Sequence, residues 1–352
     1  MKVNIIFPFP PKTPAGGTRV LFEYANHLTR TGHEVTIYYS LSAPYYVDAT
    51  PFIVRYVYYT LFMPPKWFKL YKGIRRKLIT KVSNSTIDNG DVILYTWWAL
   101  SYDVKKLDQS KGNKYNLIQD LEFWNGNEAL VKETYFFPEI KNVVIAEYIR
   151  KYINSIRPVK IDKVSFAIDG DRFHVTNPIE MRNPFSVGMM YSAEPRKGSK
   201  IGLLAVRRLK ELYPQLEVNL FSTFDFNEYM GFEVNFYKMP PDLPLIMNRS
   251  SIFISPSVQE GCALPPMEAM HCGNALVCSD IEGHSEYAFD NDTALLFKSQ
   301  DVDDLVLKVS LLIENDEQRQ LLAKKGNEFI KKNTWEFSTN ELVTIFEQNE
   351  FS

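Results

Sequence analysis

PSVQEGCALPPMEAMHCGNALVCSD, residues 256–280, contains the local signals from which the fold is predicted. The segment starts at the end of an apolar run and continues through a loop that contains a glycine. Prolines are tolerated in the first turn of a helix, and PMEAMHC continues with good helix formers. The apolar run NALVC then predicts a buried strand. We therefore predict a strand end, a loop, a short helix beginning near Pro265 and a further strand.

Short apolar runs and amphipathic segments alternate on both sides of this stretch. Upstream, FSVGMMYS, KIGLLAVRRLKELYP and LEVNLFS predict strand, helix and strand, and downstream TALLF and VDDLVLKVSLLIEND predict strand and helix. Such uninterrupted apolar strands are typical of parallel sheets buried on both faces. An earlier series of predicted strands reads VNIIF, EVTIYY, DVILYTWW, YNLIQDL, NVVIAE and KVSFAI. The pattern predicts an α/β chain with two doubly wound, Rossmann-like domains.

The two series of strands are separated by the polar stretch HVTNPIEMRNP. We place the domain boundary there, with residues 1–172 before it and residues 173–334 after it. Two successive α/β domains are expected to leave a cleft. In open α/β sheets ligands bind beyond the carboxyl ends of the strands, so the loops that follow VNIIF, FSVGMMYS and SIFISPS are where a site is expected.

Composition limits the class of protein. The chain has 352 residues, of which 45% are hydrophobic and 23% charged, and a formal net charge of −2, so nothing commits it as a whole to nucleic acid or membrane. The three cysteines, Cys262, Cys272 and Cys278, form no C-x-x-C pair, which argues against a disulfide framework and a structural zinc site. No apolar run approaches the roughly 18 residues of a membrane span. We predict a cytoplasmic protein.

Two carboxylates bracket the predicted loop, since Glu260 precedes the short helix and Glu268 lies within it. The positive end of the helix dipole and the loop N–H groups would bind an anion between them. A diphosphate bound there would present a sugar on one side and a ribose on the other. The two carboxylates could accept hydrogen bonds from the hydroxyls of both. The pair therefore predicts a nucleotide-sugar site. Its backbone donors would come from Gly261, Cys262, Ala263 and Leu264.

The whole stretch resembles the E-x7-E signature of retaining glycosyltransferases of the GT-B fold, especially family four. It departs from the usual pattern at Cys262 and Ala263, where phenylalanine and glycine are usual. The resemblance implies the GT-B fold, with an acceptor-binding first domain that the C-terminal helix, residues 335–352, rejoins, and a nucleotide-sugar-binding second domain. It also implies a retaining, metal-independent transfer. The matching positions are Ser257, Glu260, Gly261, Leu264, Pro265, Glu268, Ala269, Met270, Cys272, Gly273, Ser279, Gly283 and Glu286.

The resemblance assigns Glu268 to the donor ribose and Glu260 to the transferred sugar. The alternative is a helix-start carboxylate and an exposed helix residue. Arg196 and Lys197 lie in a turn after a predicted strand, where two cations could neutralise the departing diphosphate in place of a metal. Lys197 matches the usual lysine of the family, whereas Arg196 substitutes for an arginine expected directly after Val187–Gly188. The alternative for both cations is a solvated turn.

Two further positions are predicted in the first domain. Gly16 and Gly17 would let the backbone approach the donor phosphate or the acceptor, or would form an ordinary turn. Asp120, in YNLIQDLEFW, belongs to a segment similar to the Q-D-x-E of rhamnosyltransferase-like members. That similarity implies contact with the acceptor hydroxyl, as base or as orienting group, and the alternative is a helix cap.

Asp169 and Asp171 flank a glycine in what we interpret as a turn, and the five histidines show no ligand spacing, so we predict no required metal. KWFKLYKGIRRKLITK, residues 66–81, carries seven Lys/Arg and no acid, with aromatic residues between them. Such a segment could bind an anionic membrane surface, or form an amphipathic helix packed on its own domain. No nucleic-acid motif accompanies its charge, so we predict no nucleic-acid partner.

These observations predict a retaining hexosyltransferase that moves a sugar from a nucleotide diphosphate to a glycan or lipid-linked acceptor in surface polysaccharide biosynthesis. The Q-D-x-E similarity favours rhamnose and a dTDP-rhamnose donor over UDP- and GDP-sugars. The protein would be cytoplasmic, and peripheral at the inner face of the membrane. The alternatives are an inactive donor-binding or scaffolding subunit and a nucleotide-sugar epimerase of the same fold.

Overall fold

A computed structural model describes residues 1–45, 48–123, 127–240 and 242–348. The chain divides into two compact units. The first unit is Met1–Phe166 with Trp335–Ser352, and the second is Ala167–Thr334. The sequence analysis placed this boundary at residue 172.

Each unit contains one sheet, and all strand pairs in both sheets are parallel. The first sheet has seven strands in the order β3-β2-β1-β4-β5-β6-β7, and the second has six in the order β10-β9-β8-β11-β12-β13. The predicted α/β class with two parallel sheets is confirmed. The strands are β1 Lys2–Phe7, β2 Glu34–Ser40, β3 Arg75–Ile79, β4 Val92–Tyr95, β5 Asn113–Ile118, β6 Ile140–Val144, β7 Asp162–Lys163, β8 Ser186–Met190, β9 Glu217–Ser222, β10 Asn235–Lys238, β11 Ile252–Ser255, β12 Ala275–Ser279 and β13 Ala294–Phe297.

Helices lie in many of the connections between parallel strands, but no helix lies between β3 and β4 or between β9 and β10, where every residue is described. None of the described helices is long and apolar enough to cross a membrane. The α-helices are α1 Gly16–Arg30, α2 Phe52–Leu61, α3 Ser101–Val104, α4 Glu128–Thr134, α5 Glu147–Ile156, α6 Ser199–Leu212, α7 Leu243–Arg249, α8 Leu264–His271, α9 Val302–Glu314, α10 Asp316–Ile330 and α11 Trp335–Gln348.

The last helix, α11, packs on the first helix of the first unit. The Tyr24 hydroxyl lies 2.7 Å from the Ser338 hydroxyl, and the ring centroids of Tyr24 and Trp335 are 5.3 Å apart. Both tyrosine and tryptophan are buried. Buried apolar area and a satisfied hydroxyl together hold the end of the chain on the unit in which it began.

Two segments differ from the predicted elements. KVSFAI was predicted as a strand, but only Lys163 belongs to β7, although most of its apolar side chains are buried. Residues 66–81, all of which the structure describes, contain strand β3 and no helix, so the packed-helix alternative is wrong. Trp67 and Phe68 instead lie against Phe22, with ring centroids 5.7 and 5.4 Å away.

Candidate functional site

The strand order of the second sheet brings the basic turn next to the loop that contains Glu260. Strands β8 and β11 are parallel neighbours, so the loops after Met190 and Ser255 leave the same edge of the sheet. A 3₁₀ turn, Pro195–Lys197, follows β8. The Lys197 ammonium lies 2.8 and 2.7 Å from the two carboxylate oxygens of Glu260.

This ion pair is largely withdrawn from water. The Glu260 side chain is 6% exposed and that of Lys197 is 16% exposed. The Ser257 hydroxyl also donates to Glu260, at 2.8 Å. Arg196 takes a lesser part, because its nearest guanidinium nitrogen is 4.0 Å from Glu260 while its Nε donates to the exposed carboxylate of Glu194 at 2.9 Å. A solvated turn therefore does not describe Lys197.

Backbone contacts fix the basic turn against the loop. The Arg196 carbonyl accepts the N–H groups of Val258 and Gln259 at 2.8 and 3.2 Å. Gly198 follows with φ +63°, and a Cβ there would lie 1.9 Å from the Pro256 carbonyl oxygen. Only glycine fits this approach, so the position of Lys197 beside Glu260 is set by main-chain geometry.

The loop is also held from its other side. A Cβ on Gly283 would lie 2.2 Å from the Glu260 carbonyl oxygen. His284 is buried, with Nδ1 2.8 Å from the Ser279 carbonyl and Nε2 3.4 Å from the Ser255 hydroxyl. Burial lowers the pKa of this imidazole. A neutral His284 thus ties the ends of strands β11 and β12 beneath the site.

Helix α8 presents the second carboxylate of the signature. It begins at Leu264, as predicted, after Ala263 in an extended conformation. Glu268 is 3% exposed, so the alternative of an exposed helix residue is wrong. Because Pro265 and Pro266 have no N–H, the donors that an anion would meet at this helix start come from Leu264 and the three predicted residues before it.

Burial also affects the thiol that follows α8. The pKa of Cys272 is raised to about 12, first by burial and then by the charge of Glu268.

The structure contains a cavity of about 10 Å³ lined by residues that include Lys197, Ser257 and Glu260. That space holds about one water, and the two members of the ion pair belong to its lining.

In the first unit the predicted glycines start α1. The Gly17 carbonyl accepts a hydrogen bond from Gln119 Nε2 at 3.1 Å, and the same nitrogen lies 3.2 Å from Thr96 Oγ1. A Cβ on Gly17 would meet Gln119 at an ordinary 3.5 Å. Gln119, directly after β5, therefore ties the start of α1 to the residue that follows β4.

Asp120 lies directly after Gln119 and is half-buried. Its Oδ1 accepts the Leu121 N–H at 2.8 Å and lies 3.5 Å from the Tyr148 hydroxyl. Glu122, two residues further on, has φ +54°, and its carboxylate accepts the Trp98 N–H at 2.8 Å. Burial, together with the charge of Asp120, raises the pKa of Glu122 to about 8, although the Trp98 N–H opposes this. This carboxyl was not among the predicted site residues.

The predicted residues thus form two groups. Arg196, Lys197, Glu260, the 261–264 loop and Glu268 belong to the second unit, whereas Gly16, Gly17 and Asp120 belong to the first. Within the described ranges, no cluster of three or more His, Cys, Asp or Glu side chains could hold a metal ion. Asp169 accepts the Arg172 N–H at 3.1 Å, as in a turn.

Gly198 and His284 were missed by the sequence analysis. A glycine directly after a basic pair, between a strand and a helix, is a signal for a left-handed turn and could have identified Gly198. No sequence pattern identifies His284, because its contacts join strands that are distant along the chain.

Known proteins share the fold and part of the second unit. Residues 230–329 match the family model described as glycosyl transferases group 1. The chain is 29% identical over 110 residues to O-antigen chain mannosyltransferase B of Escherichia coli, covering 31% of this chain and 28% of the relative. It is 36% identical over 85 residues to N,N'-diacetylbacillosaminyl-diphospho-undecaprenol alpha-1,3-N-acetylgalactosaminyltransferase of Campylobacter jejuni, covering 24% and 23%. The matched stretches thus span less than a third of either relative.

Structural similarity extends over the whole chain. The crystal structure of Anabaena HepE in complex with UDP and glucose superposes with a TM-score of 0.72 at 14% identity, covering 99% of this chain and 100% of that one. At this identity the similarity establishes the fold alone. The chain has the fold of GT-B glycosyltransferases, and its residues 230–329 match the glycosyl transferases group 1 family.

Proposed function

We propose that this protein is a retaining glycosyltransferase that moves a sugar from a nucleotide diphosphate to a glycan or lipid-linked acceptor. The observation that carries the proposal is the Lys197–Glu260 pair at the carboxyl ends of β8 and β11, next to the N-terminus of α8. The family match includes both Glu260 and Glu268. A nucleotide-sugar donor is further supported by the similar structure of Anabaena HepE, which contains UDP and glucose.

In the proposed donor complex, the diphosphate lies at the start of α8 and accepts from the loop N–H groups. The Lys197 side chain moves so that its ammonium leaves Glu260 and pairs with the phosphate. There it neutralises the charge of the leaving group. Glu260, released from the ion pair, accepts hydrogen bonds from hydroxyls of the transferred sugar. Glu268, which is buried in α8, accepts hydrogen bonds from the ribose hydroxyls. Ion pairing before donor binding keeps both buried charges compensated.

The transfer breaks the bond between the anomeric carbon and the phosphate oxygen, and the electron pair leaves with the diphosphate. The acceptor hydroxyl forms the new bond on the same face of the sugar. Its proton passes to a departing phosphate oxygen. Arg196, 4.0 Å from Glu260, would add positive charge to the same leaving group.

Asp120 is the proposed acceptor-engaging residue of the first unit. Its carboxylate lies at the end of β5, next to the loop ends that Gln119 ties together. The Q-D-x-E similarity continues to favour rhamnose as the transferred sugar, from dTDP-rhamnose. The relatives whose names specify other sugars make UDP- and GDP-sugars the necessary comparison.

A turnover assay tests the proposal. Purified protein is incubated with dTDP-rhamnose, UDP-glucose or GDP-mannose and a bacterial lipid extract, and release of nucleoside diphosphate and glycosylated product is measured by mass spectrometry. We expect one donor to be consumed in an acceptor-dependent reaction that Glu260→Ala abolishes and Glu211→Ala, in the exposed part of α6, leaves intact. An epimerised sugar formed without acceptor would assign the site to an epimerase instead. Turnover equal to wild type in Glu260→Ala would refute the role of Glu260.

A further inference from the structure

Helix α2 exposes an unusual amount of apolar surface. Of its ten residues, eight are aromatic or aliphatic, and only Tyr59 is buried. Ile53 and Leu61 are 66% and 69% exposed, and Val57 is 50% exposed. Single exposed apolar residues are normal on a soluble protein, but a contiguous set of this kind marks a binding surface. We define the α2 patch as Phe52, Ile53, Tyr56, Val57, Leu61 and Phe62.

Polar contacts at its two ends hold α2 on the first unit. Arg55 donates to the Leu41 carbonyl at 2.7 Å, and Arg76 donates to the Pro64 carbonyl at 3.2 Å, just beyond the last turn. The helix therefore keeps its place although Tyr59 is its one buried residue. Its ten residues span about 15 Å, half of what a bilayer crossing requires.

Lysine side chains lie next to aromatic rings at and beside the patch. The Lys66 ammonium lies 4.6 Å from the centroid of the Phe62 ring, and the Lys12 ammonium lies 5.2 Å from that of Tyr58. Residues 49–81, which include all of α2, contain eight Lys/Arg and no Asp or Glu. Three of these cations pair with carboxylates from outside the range, which leaves Lys66 as the cation at the patch: Arg55 with Asp48, Arg75 with Glu34 and Lys77 with Asp88. Aromatic and aliphatic side chains next to cationic ones are the composition of a surface that enters the headgroup region of an anionic bilayer.

We propose that the α2 patch docks on an anionic phospholipid surface. In this position α2 lies in the plane of the interface, with Ile53, Val57 and Leu61 among the acyl chains and Lys66 at the phosphates. A second copy of the chain is a poorer occupant, because a two-fold contact would bring two acid-free, cationic segments together. The proposed contact is thus α2, with Lys66 at its rim, in place of residues 66–81 as a whole. It does not depend on the proposed transfer reaction.

Vesicle flotation of the full chain tests the proposal. Vesicles of phosphatidylcholine mixed with phosphatidylglycerol are compared with vesicles of phosphatidylcholine alone, at low and high salt. We expect the protein to float with the anionic vesicles, less at high salt, and only weakly with the neutral ones. No flotation with anionic vesicles would overturn the proposal.

Exposed residues allow matched variants that leave the core intact. Ile53→Ser/Leu61→Ser is expected to weaken partitioning by about tenfold or more, and Lys66→Gln by about fivefold. The controls carry similar changes at exposed positions of the second unit, where no effect is expected: Leu307→Ser/Leu321→Ser and Lys298→Gln. Equal flotation of Ile53→Ser/Leu61→Ser and wild type would overturn the role of α2. So would a dimer, seen by light scattering without vesicle binding, that Ile53→Ser/Leu61→Ser dissociates.

Discussion

Replacing Lys197 by methionine tests whether the buried ion pair holds the site together. The change leaves the Glu260 carboxylate 6% exposed with the Ser257 hydroxyl and with Arg196 at 4.0 Å. Breaking a buried pair on one side costs about 3–5 kcal/mol, and we take the lower end because Lys197 is 16% exposed and Arg196 is near. For a cooperative unit of the size of Ala167–Thr334, a loss of about 3 kcal/mol lowers Tm by roughly 6–12 °C.

The double variant separates the free energy of the Lys197–Glu260 interaction from the effects of the two single substitutions. Glu260→Gln alone leaves Lys197 able to reach water, so a loss of about 1–2 kcal/mol is expected. In Lys197→Met/Glu260→Gln no buried charge is left uncompensated, and the loss should fall about 2 kcal/mol short of the sum of the single losses. The assay is urea denaturation monitored by fluorescence. The control is Lys298→Met, whose exposed pair with Asp301 at 3.7 Å contributes about 0–1 kcal/mol. Single losses that add to within about 0.5 kcal/mol would refute the reasoning.

Three further predictions use other parts of the chain. Gly198→Ala is expected to lower the free energy of unfolding, measured by urea denaturation, by about 3 kcal/mol or more, because a Cβ would overlap a carbonyl oxygen. The control Gly231→Ala has φ +80° and nothing within 4 Å, so it should cost about 1 kcal/mol. Equal costs would contradict the close approach at Gly198. The Glu122 carboxyl has its pKa raised from 4.5 to about 8, so the folded state binds more protons than the unfolded state between these values, and stability should fall as pH rises through this window. Glu122→Gln should remove that fall, and the same pH dependence in wild type and variant would refute the assignment. An aromatic disulfide reagent should modify Cys262 in the native protein and the other two thiols only after unfolding, since burial raises the pKa of Cys272 and Cys278; rapid native reaction of all three would contradict their burial.

The sequence predicted the elements that form the interiors of the two sheets. Strands β1, β8 and β11 consist mostly of buried apolar residues, and their burial on both faces makes that pattern visible. The start of α8 was also predictable, because proline restricts the first turn.

Two of the edge strands, β3 and β10, were not predicted, whereas the edge strand β13 was predicted from TALLF. Strands β3 and β10 lie at the edges of their sheets, where one side faces no partner strand and charged residues are tolerated. RRKLI in β3 therefore shows no apolar run. Conversely, KVSFAI looks like a strand because Val164, Phe166 and Ile168 are buried, although the ladder with β6 ends at Lys163. Burial and strand pairing are separate properties, and hydrophobic pattern reports only the first.

The predicted site was incomplete for a related reason. Lys197 and Glu260 were each singled out from local motifs, but their ion pair depends on β8 and β11 being neighbours, which no local pattern specifies. The raised pKa of Glu122 likewise depends on burial by residues that are distant along the chain, and it is raised although the Trp98 N–H opposes the shift. Eight of the ten residues of α2 are apolar, a composition typical of a buried helix, so only the structure shows that most of it stays exposed.

Calorimetric titration of the full chain with UDP, dTDP, GDP and ADP tests the central claim that the second unit binds a nucleoside diphosphate. The account predicts that one of these binds clearly better than the others. Lys197→Ala and Glu268→Ala should each weaken it by about tenfold or more, since each removes a charge-assisted contact, while Glu211→Ala should not. Failure of all four to bind, or equal affinity in wild type and both site variants, would contradict the account.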